Sequence, residues 1–131
     1  VGANYIFGLE GDTWDTMNDT LNLALDLNTE NANFYCATAL PGSPTYQALP
    51  VTDNRISKDY SEYGFLSYDH VPNSTTTLSP NDILAFRDCA FHTYFESPRY
   101  LNMIEHKFGI SSRKNIEQMT SIKLKRRLLD D

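Results

Sequence analysis

The chain has 131 residues, 40% hydrophobic and 21% charged, which suits one compact domain and excludes disorder throughout. No apolar run approaches the roughly 20 residues of a membrane-spanning helix, and Val1-Gly2-Ala3-Asn4 lacks the basic start and apolar stretch of a secretion signal. The net charge of −6 hides an asymmetry: residues 1–54 carry seven acids and no Lys or Arg, whereas residues 99–129 carry eight bases and two acids, so the two ends are expected to attract.

Val1–Phe7 reads as a strand, and its nearly continuous apolar character predicts cover on both faces, as in a parallel sheet. Gly8-Leu9-Glu10-Gly11-Asp12-Thr13 forms a tight loop, with Asp12 or Thr13 placed to cap a helix over Trp14–Leu27. Trp14, Met17, Leu21, Ala24 and Leu25 share one side of that helix, and Asp15, Asn18, Asp19, Asn22 and Asp26 the other. Asn28-Thr29-Glu30-Asn31 ends it. Ala32–Thr38, rich in β-formers, is the second strand of a βαβ unit.

Ala39-Leu40-Pro41-Gly42-Ser43-Pro44 breaks the second strand, and Thr45–Leu49 predicts one short helical turn. Pro50 to Ser79 shows no periodicity. A structureless stretch of that length inside a compact domain is a functional loop, a docked arm or a short hairpin. Its Tyr60, Tyr63, Phe65 and Tyr68 are read as cover for the end of a sheet rather than a stacking platform.

Ser79-Pro80-Asn81-Asp82 is a helix start: a Ser cap, Pro at the first helical position and Asp three residues after the cap. The helix is expected over Pro80–Glu96. Ser97-Pro98 stops it and begins another over Arg99–Phe108, closed by Gly109. Ser111 or Ser112 then caps a last basic helix reaching Leu129. Its cluster Lys123-Leu124-Lys125-Arg126-Arg127 is read as a solvated helix end and not as a nucleic-acid contact, because Asp130-Asp131 follow it and cations suit a helix C-terminus.

Cys36 and Cys89 stand 53 residues apart with no CxxC pair, so they are read as reduced thiols of a cytoplasmic protein, without metal-site spacing. Cys89, His92 and Glu96 share a helix face, where a His92–Glu96 surface ion pair is expected rather than a metal. Arg87 falls within the apolar face of Ile83, Ala90, Phe91, Tyr94 and Phe95. Burial demands a partner, expected to be an acid of residues 1–54. His70, beside Asp69, is read as a solvated loop histidine rather than half of a general-base pair.

The loops after the two strands lie at the same end of adjacent parallel strands, where α/β folds gather their ligands. There is no GxGxxG and no Walker lysine, so the sequence does not support a dinucleotide or P-loop site. The segment from Tyr5 to Tyr46 resembles the late strands of the radical S-adenosylmethionine barrel, in its cobalamin-binding branch. There, one strand ends in Gly-Leu-Pro-Gly-Glu/Asp-Thr and the next in Thr-Pro-x-Pro-Gly-Thr/Ser-x-x-Tyr. Glu10 stands here where Pro is usual and Ala39 where Pro is frequent, while Pro41, Gly42, Ser43 and Tyr46 fit. Leu78–Asp88 resembles the helix that follows the barrel. The likeness leaves out the aromatic loop and the basic tail.

The resemblance implies an α/β fold: a partial, half TIM-like barrel βαβ segment over 1–50, an aromatic connecting loop over 51–78 and a helical C-terminal extension over 79–131. It implies that the chain, which begins without Met, is the C-terminal part of a longer enzyme and faces the upstream half of the same barrel. That enzyme would use S-adenosylmethionine, a 4Fe–4S cluster held by an upstream CxxxCxxC motif, and cobalamin, to make a 5′-deoxyadenosyl radical or transfer a methyl group. By position, Ile6, Gly8 and Gly11 would approach the methionine and ribose, and Thr38, Ala39 and Leu40 the adenine. The chain by itself would hold no catalytic residue, metal or cluster, and would meet neither nucleic acid nor membrane. With one strand edge unpaired, it would self-associate. The competing expectation is a small non-catalytic α/β module that binds a protein partner through the aromatic loop.

Overall fold

A computed structural model describes residues 1–130, and Asp131 lies outside the described residues. Two parallel strands carry the fold. Strand β1 (Gly2–Phe7) pairs with β2 (Asn31–Cys36), with Gly2 opposite Asn31 and Phe7 opposite Cys36. Helix α1 (Trp14–Leu27) connects them, α2 (Pro44–Ala48) is short, and α3 (Pro80–Phe95), α4 (Pro98–Phe108) and α5 (Ile110–Thr120) follow the long arm between α2 and α3.

Local chemistry sets the boundaries. The Thr13 side chain accepts from the Thr16 amide, and Thr16 Oγ1 accepts from the Thr13 amide, closing a capping box on α1. Asn28 adopts a left-handed conformation (φ 47°) and ends the helix. At α3, Ser79 accepts from the Asp82 amide and Asp82 returns the bond to the Ser79 amide. Gly109, at φ 92°, separates α4 from α5.

The sheet departs from the expected two-sided cover. Tyr5, Phe7, Ala32, Phe34 and Cys36 are buried against Met17, Leu21 and Ala24 of α1 and Ile83, Leu84, Phe86, Ala90 and Tyr94 of α3. The other face carries exposed Asn4, Ile6 and Asn33 and half-buried Tyr35. Asn33 donates to Asn4 across that face at 3.0 Å, a polar rung that interrupts the apparent apolar run. Period-2 alternation therefore governs both strands. A mixed α/β unit with a two-stranded parallel sheet is what the described residues form, and a half barrel is not seen among them. None of their helices is long and apolar enough to cross a membrane.

The last helix is shorter than expected. No side chain caps α5, and it stops at Thr120. Residues 121–130 turn back along α3 and the arm, because Ile122, Leu124, Leu128 and Leu129 share no helical face. Arg126, expected in solvent, is only 1% exposed. It donates to both Asp88 carboxylate oxygens at 3.0 Å and to the Phe65 and Ser67 carbonyls at 2.9 Å. Burying a guanidinium is tolerable only with its polar atoms bonded, and these four bonds engage all three of its nitrogens.

Two further expectations are corrected. Arg87 is buried as expected, but its carboxylate is the neighbouring Asp88, at 2.9 Å, rather than an acid of residues 1–54. Its Nε donates to the Phe34 carbonyl at 2.8 Å, on the outer edge of β2. His70 is buried, not solvated: Nδ1 donates to the Glu62 carbonyl at 2.8 Å, and desolvation lowers the imidazole pKa. Asp69 pairs instead with Arg127 at 2.9 Å.

Of the three alternatives for the arm, the docked one is observed. Asn73 donates its amide to the Ala37 carbonyl at 3.2 Å and accepts the Ala39 amide on its side chain at 3.2 Å. Thr77 donates to the Asp12 carbonyl at 2.7 Å. The arm thus crosses the ends of both strands.

Candidate functional site

The loops after β1 and β2 and the crossing arm enclose a crevice of about 680 Å³. That volume lies within the range of small-molecule sites. Its floor is Ile6 and Tyr35, from the face of the sheet turned away from the helices, with Cys36 beside them.

The first loop is bent tightly. Gly8 sits at φ +82°, and a Cβ there would lie 2.7 Å from the Ile83 side chain. Only glycine meets both conditions. The Gly8 and Leu9 amides donate to one oxygen of Asp12 at 2.9 and 3.2 Å, holding the loop curled. Glu10 lines the crevice and accepts from the Thr76 amide and hydroxyl at 3.3 and 3.0 Å, which ties this loop to the arm.

In the second loop, Thr38 donates its hydroxyl to the Cys36 carbonyl at 3.2 Å, and the Leu40 amide donates to the Thr38 carbonyl at 2.9 Å. Thr38, Leu40 and Thr45 face the crevice. The opposite wall is the arm. Phe65 stands edge-on to Tyr35, ring centroids 5.2 Å apart, and Arg55 lies at the rim. Arg55 makes a two-pronged contact with Asp53 at 2.9 and 2.8 Å, which holds the Asp53 carboxyl down at about 2.

Four of the six residues predicted to form the site, Ile6, Gly8, Thr38 and Leu40, meet in this crevice. The other two do not line it. Gly11 is exposed beyond the loop, and Ala39 is buried with its amide committed to Asn73. Sequence reasoning missed the arm's share: Arg55, Phe65, Asn73, Ser74 and Thr75. The signal available was the hydroxyl run Ser74–Thr77, of which Thr76 and Thr77 bond the first loop.

Among the residues lining the crevice, no nucleophile is paired with a base. Cys36 is 4% exposed, and burial pushes its thiol up to about 12, so it stays protonated at neutral pH. Cys89 is exposed on α3, one turn from the His92–Glu96 pair at 3.0 Å. Among the described residues no three His, Cys, Asp or Glu side chains gather as metal ligands. A 4Fe–4S cluster needs grouped thiolates, and this chain's two cysteines do not fit one.

The chain is 32% identical over 74 residues to the anaerobic magnesium-protoporphyrin IX monomethyl ester cyclase of Cereibacter sphaeroides. The match takes in 56% of this chain and spans 12% of that relative's length. No protein-family description matches the chain. No solved structure matches it.

Proposed function

We propose that this chain is a C-terminal portion of a radical S-adenosylmethionine enzyme of the cobalamin-binding branch, and that its crevice forms part of the S-adenosylmethionine wall. The likeness to the Cereibacter sphaeroides cyclase supports the coarser part of this reading, a relation to radical S-adenosylmethionine enzymes. The observation that carries the finer part is the convergence of Ile6, Gly8, Thr38 and Leu40 on one crevice at the strand ends. Ile6 and Gly8 would take the methionine and ribose end, and Thr38 and Leu40 the adenine. The 4Fe–4S cluster and cobalamin would be held by the upstream part of the enzyme, and with them the radical chemistry. The substrate of that chemistry is set outside this chain.

The test is titration with S-adenosylhomocysteine, followed by amide shifts in an NMR spectrum. Shifts confined to Gly8, Thr38, Leu40 and the facing arm support the reading. No shift at millimolar ligand, or shifts gathered on α4 and α5, would overturn it.

The partner proposal follows from the sheet. Asn31 donates to the Val1 carbonyl and Ala37 to that of Phe7, so the main-chain groups of Gly2, Asn4 and Ile6 turn away from β2. The stretch Gly2–Phe7 has no charge or proline to discourage pairing. An upstream strand would occupy this edge in the longer enzyme, and a second copy would occupy it in the chain alone. Sedimentation of a concentrated sample as a strict monomer would contradict the second arrangement.

A further inference from the structure

We propose that Arg126 is a positioning residue for the crevice: one buried guanidinium, outside the crevice itself, fixes the wall that Phe65 forms. This rests on the crevice being the ligand site, as proposed above. From Leu49 to Ser79 the chain has neither an α-helix nor a strand, only the single 3₁₀ turn Tyr60–Tyr63. Something other than a ladder of main-chain bonds must therefore hold the arm. Arg126 supplies it. One terminal nitrogen donates to the Phe65 and Ser67 carbonyls at 2.9 Å, and the other two nitrogens clamp Asp88 of α3 at 3.0 Å. The arm's main chain is thereby bolted to the helix that carries the core.

The bolt reaches the crevice through one residue. With its carbonyl held, the Phe65 ring stands between Tyr35, at 5.2 Å, and His70, at 5.5 Å. His70 is itself fixed by its bond to Glu62, inside the same arm. Arg127 adds main-chain support by donating its amide to the Tyr68 carbonyl at 2.9 Å, while its side chain meets Glu62 and Asp69 at the surface. The chemistry selects arginine. The acceptors are two carboxylate oxygens and two carbonyls spread around a plane, which a guanidinium fork matches and a lysine ammonium cannot. Asp88 also serves Arg87, so the cluster holds two cations on one carboxylate.

The experiment compares the wild-type chain with Arg126→Lys, Arg126→Met and the surface control Arg127→Gln. Three readouts are taken: amide exchange, the NMR contact between the Phe65 and Tyr35 rings, and S-adenosylhomocysteine binding. Arg126→Met keeps the volume and leaves Asp88 paired with Arg87, so it serves if the lysine variant does not fold. Losing charge-assisted bonds should speed exchange of the Val71 and Asn73 amides by about tenfold or more, with α3 amides unchanged. The Phe65–Tyr35 contact should disappear and binding should weaken by about tenfold, while Arg127→Gln leaves all three near wild type. Unchanged arm exchange, or a retained ring contact, in the Arg126 variants overturns the proposal. So does a loosened arm with undiminished binding. If the wild-type chain binds no S-adenosylhomocysteine, the proposed function falls instead, and the ring contact alone decides whether Arg126 positions the wall.

Discussion

Around the sheet, the large side chains that are fully buried are Phe7, Met17, Phe34, Ile83, Leu84, Tyr94 and Tyr100. In the arm and the segment after Thr120 they are His70 and Arg126. The first region is held by apolar area, which tolerates changes that preserve volume. The second is held by directional bonds to carbonyls and one carboxylate, which tolerate almost none. A leucine-for-methionine exchange belongs to the first kind of site and a lysine-for-arginine exchange to the second, and only the former is conservative.

The largest expected effect tests whether the arm depends on the sheet. Phe34 stacks near Tyr5 and Phe7, meets Tyr94 edge-on, and offers its carbonyl to Arg87. Phe34→Ala should cost about 3–5 kcal/mol and unfold both regions in one transition. Two separated transitions in urea, with the arm persisting, would break the comparison by showing that the polar region stands alone.

A smaller effect separates backbone strain from packing within the first loop. Gly8 and Gly11 both have positive φ, but only at Gly8 would a Cβ strike a neighbour, Ile83. Gly11→Ala should cost about 1–2 kcal/mol from backbone strain, and Gly8→Ala about 2–4 kcal/mol because overpacking is added. Equal losses in thermal melts would mean that Ile83 yields freely and the core beneath the first loop is not rigid.

Much of the first region was legible because its causes are local and periodic. The helical spacing of Met17, Leu21 and Ala24, the Thr13 and Ser79 caps and Gly109 each mark an element in a few residues. The strands were legible as strands, but Asn4 and Asn33 were passed over. They are the residues that announce an open face, and the crevice lies on that face. The second region was not legible because its contacts join residues far apart in sequence. Arg126 reaches Phe65 across 61 positions, and nothing near either residue marks the pairing. A lysine- and arginine-rich tail looks solvated until its acceptors are known.

The smallest expected effect concerns the link between the acidic first part of the chain and the basic last part. Glu30, in the turn between α1 and β2, receives Lys107 of α4. The hydrogen bond from Lys107, foremost, holds the Glu30 carboxyl down at about 2. A carboxyl depressed on folding stabilises the folded state above its unfolded value and loses that contribution as pH falls through its folded one. The window here runs from the ordinary 4.5 down to about 2. The Glu30 side-chain carbonyl should therefore titrate near the bottom of that window in the folded chain, and Lys107→Ala should move its midpoint upward. Because the pair lies at the surface, salt should weaken it. The clamp on Asp88 should be less sensitive to salt, since its Arg126 side is only 1% exposed where Lys107 is 49% exposed. Raising the salt concentration should thus erode the Lys107 effect on that midpoint, while the exchange difference between wild type and Arg126→Lys, read between pH 4.5 and 7, stays in place. If both differences faded together, the clamp would be solvated like the surface pair, and the division between an apolar sheet region and a bolted arm would not hold.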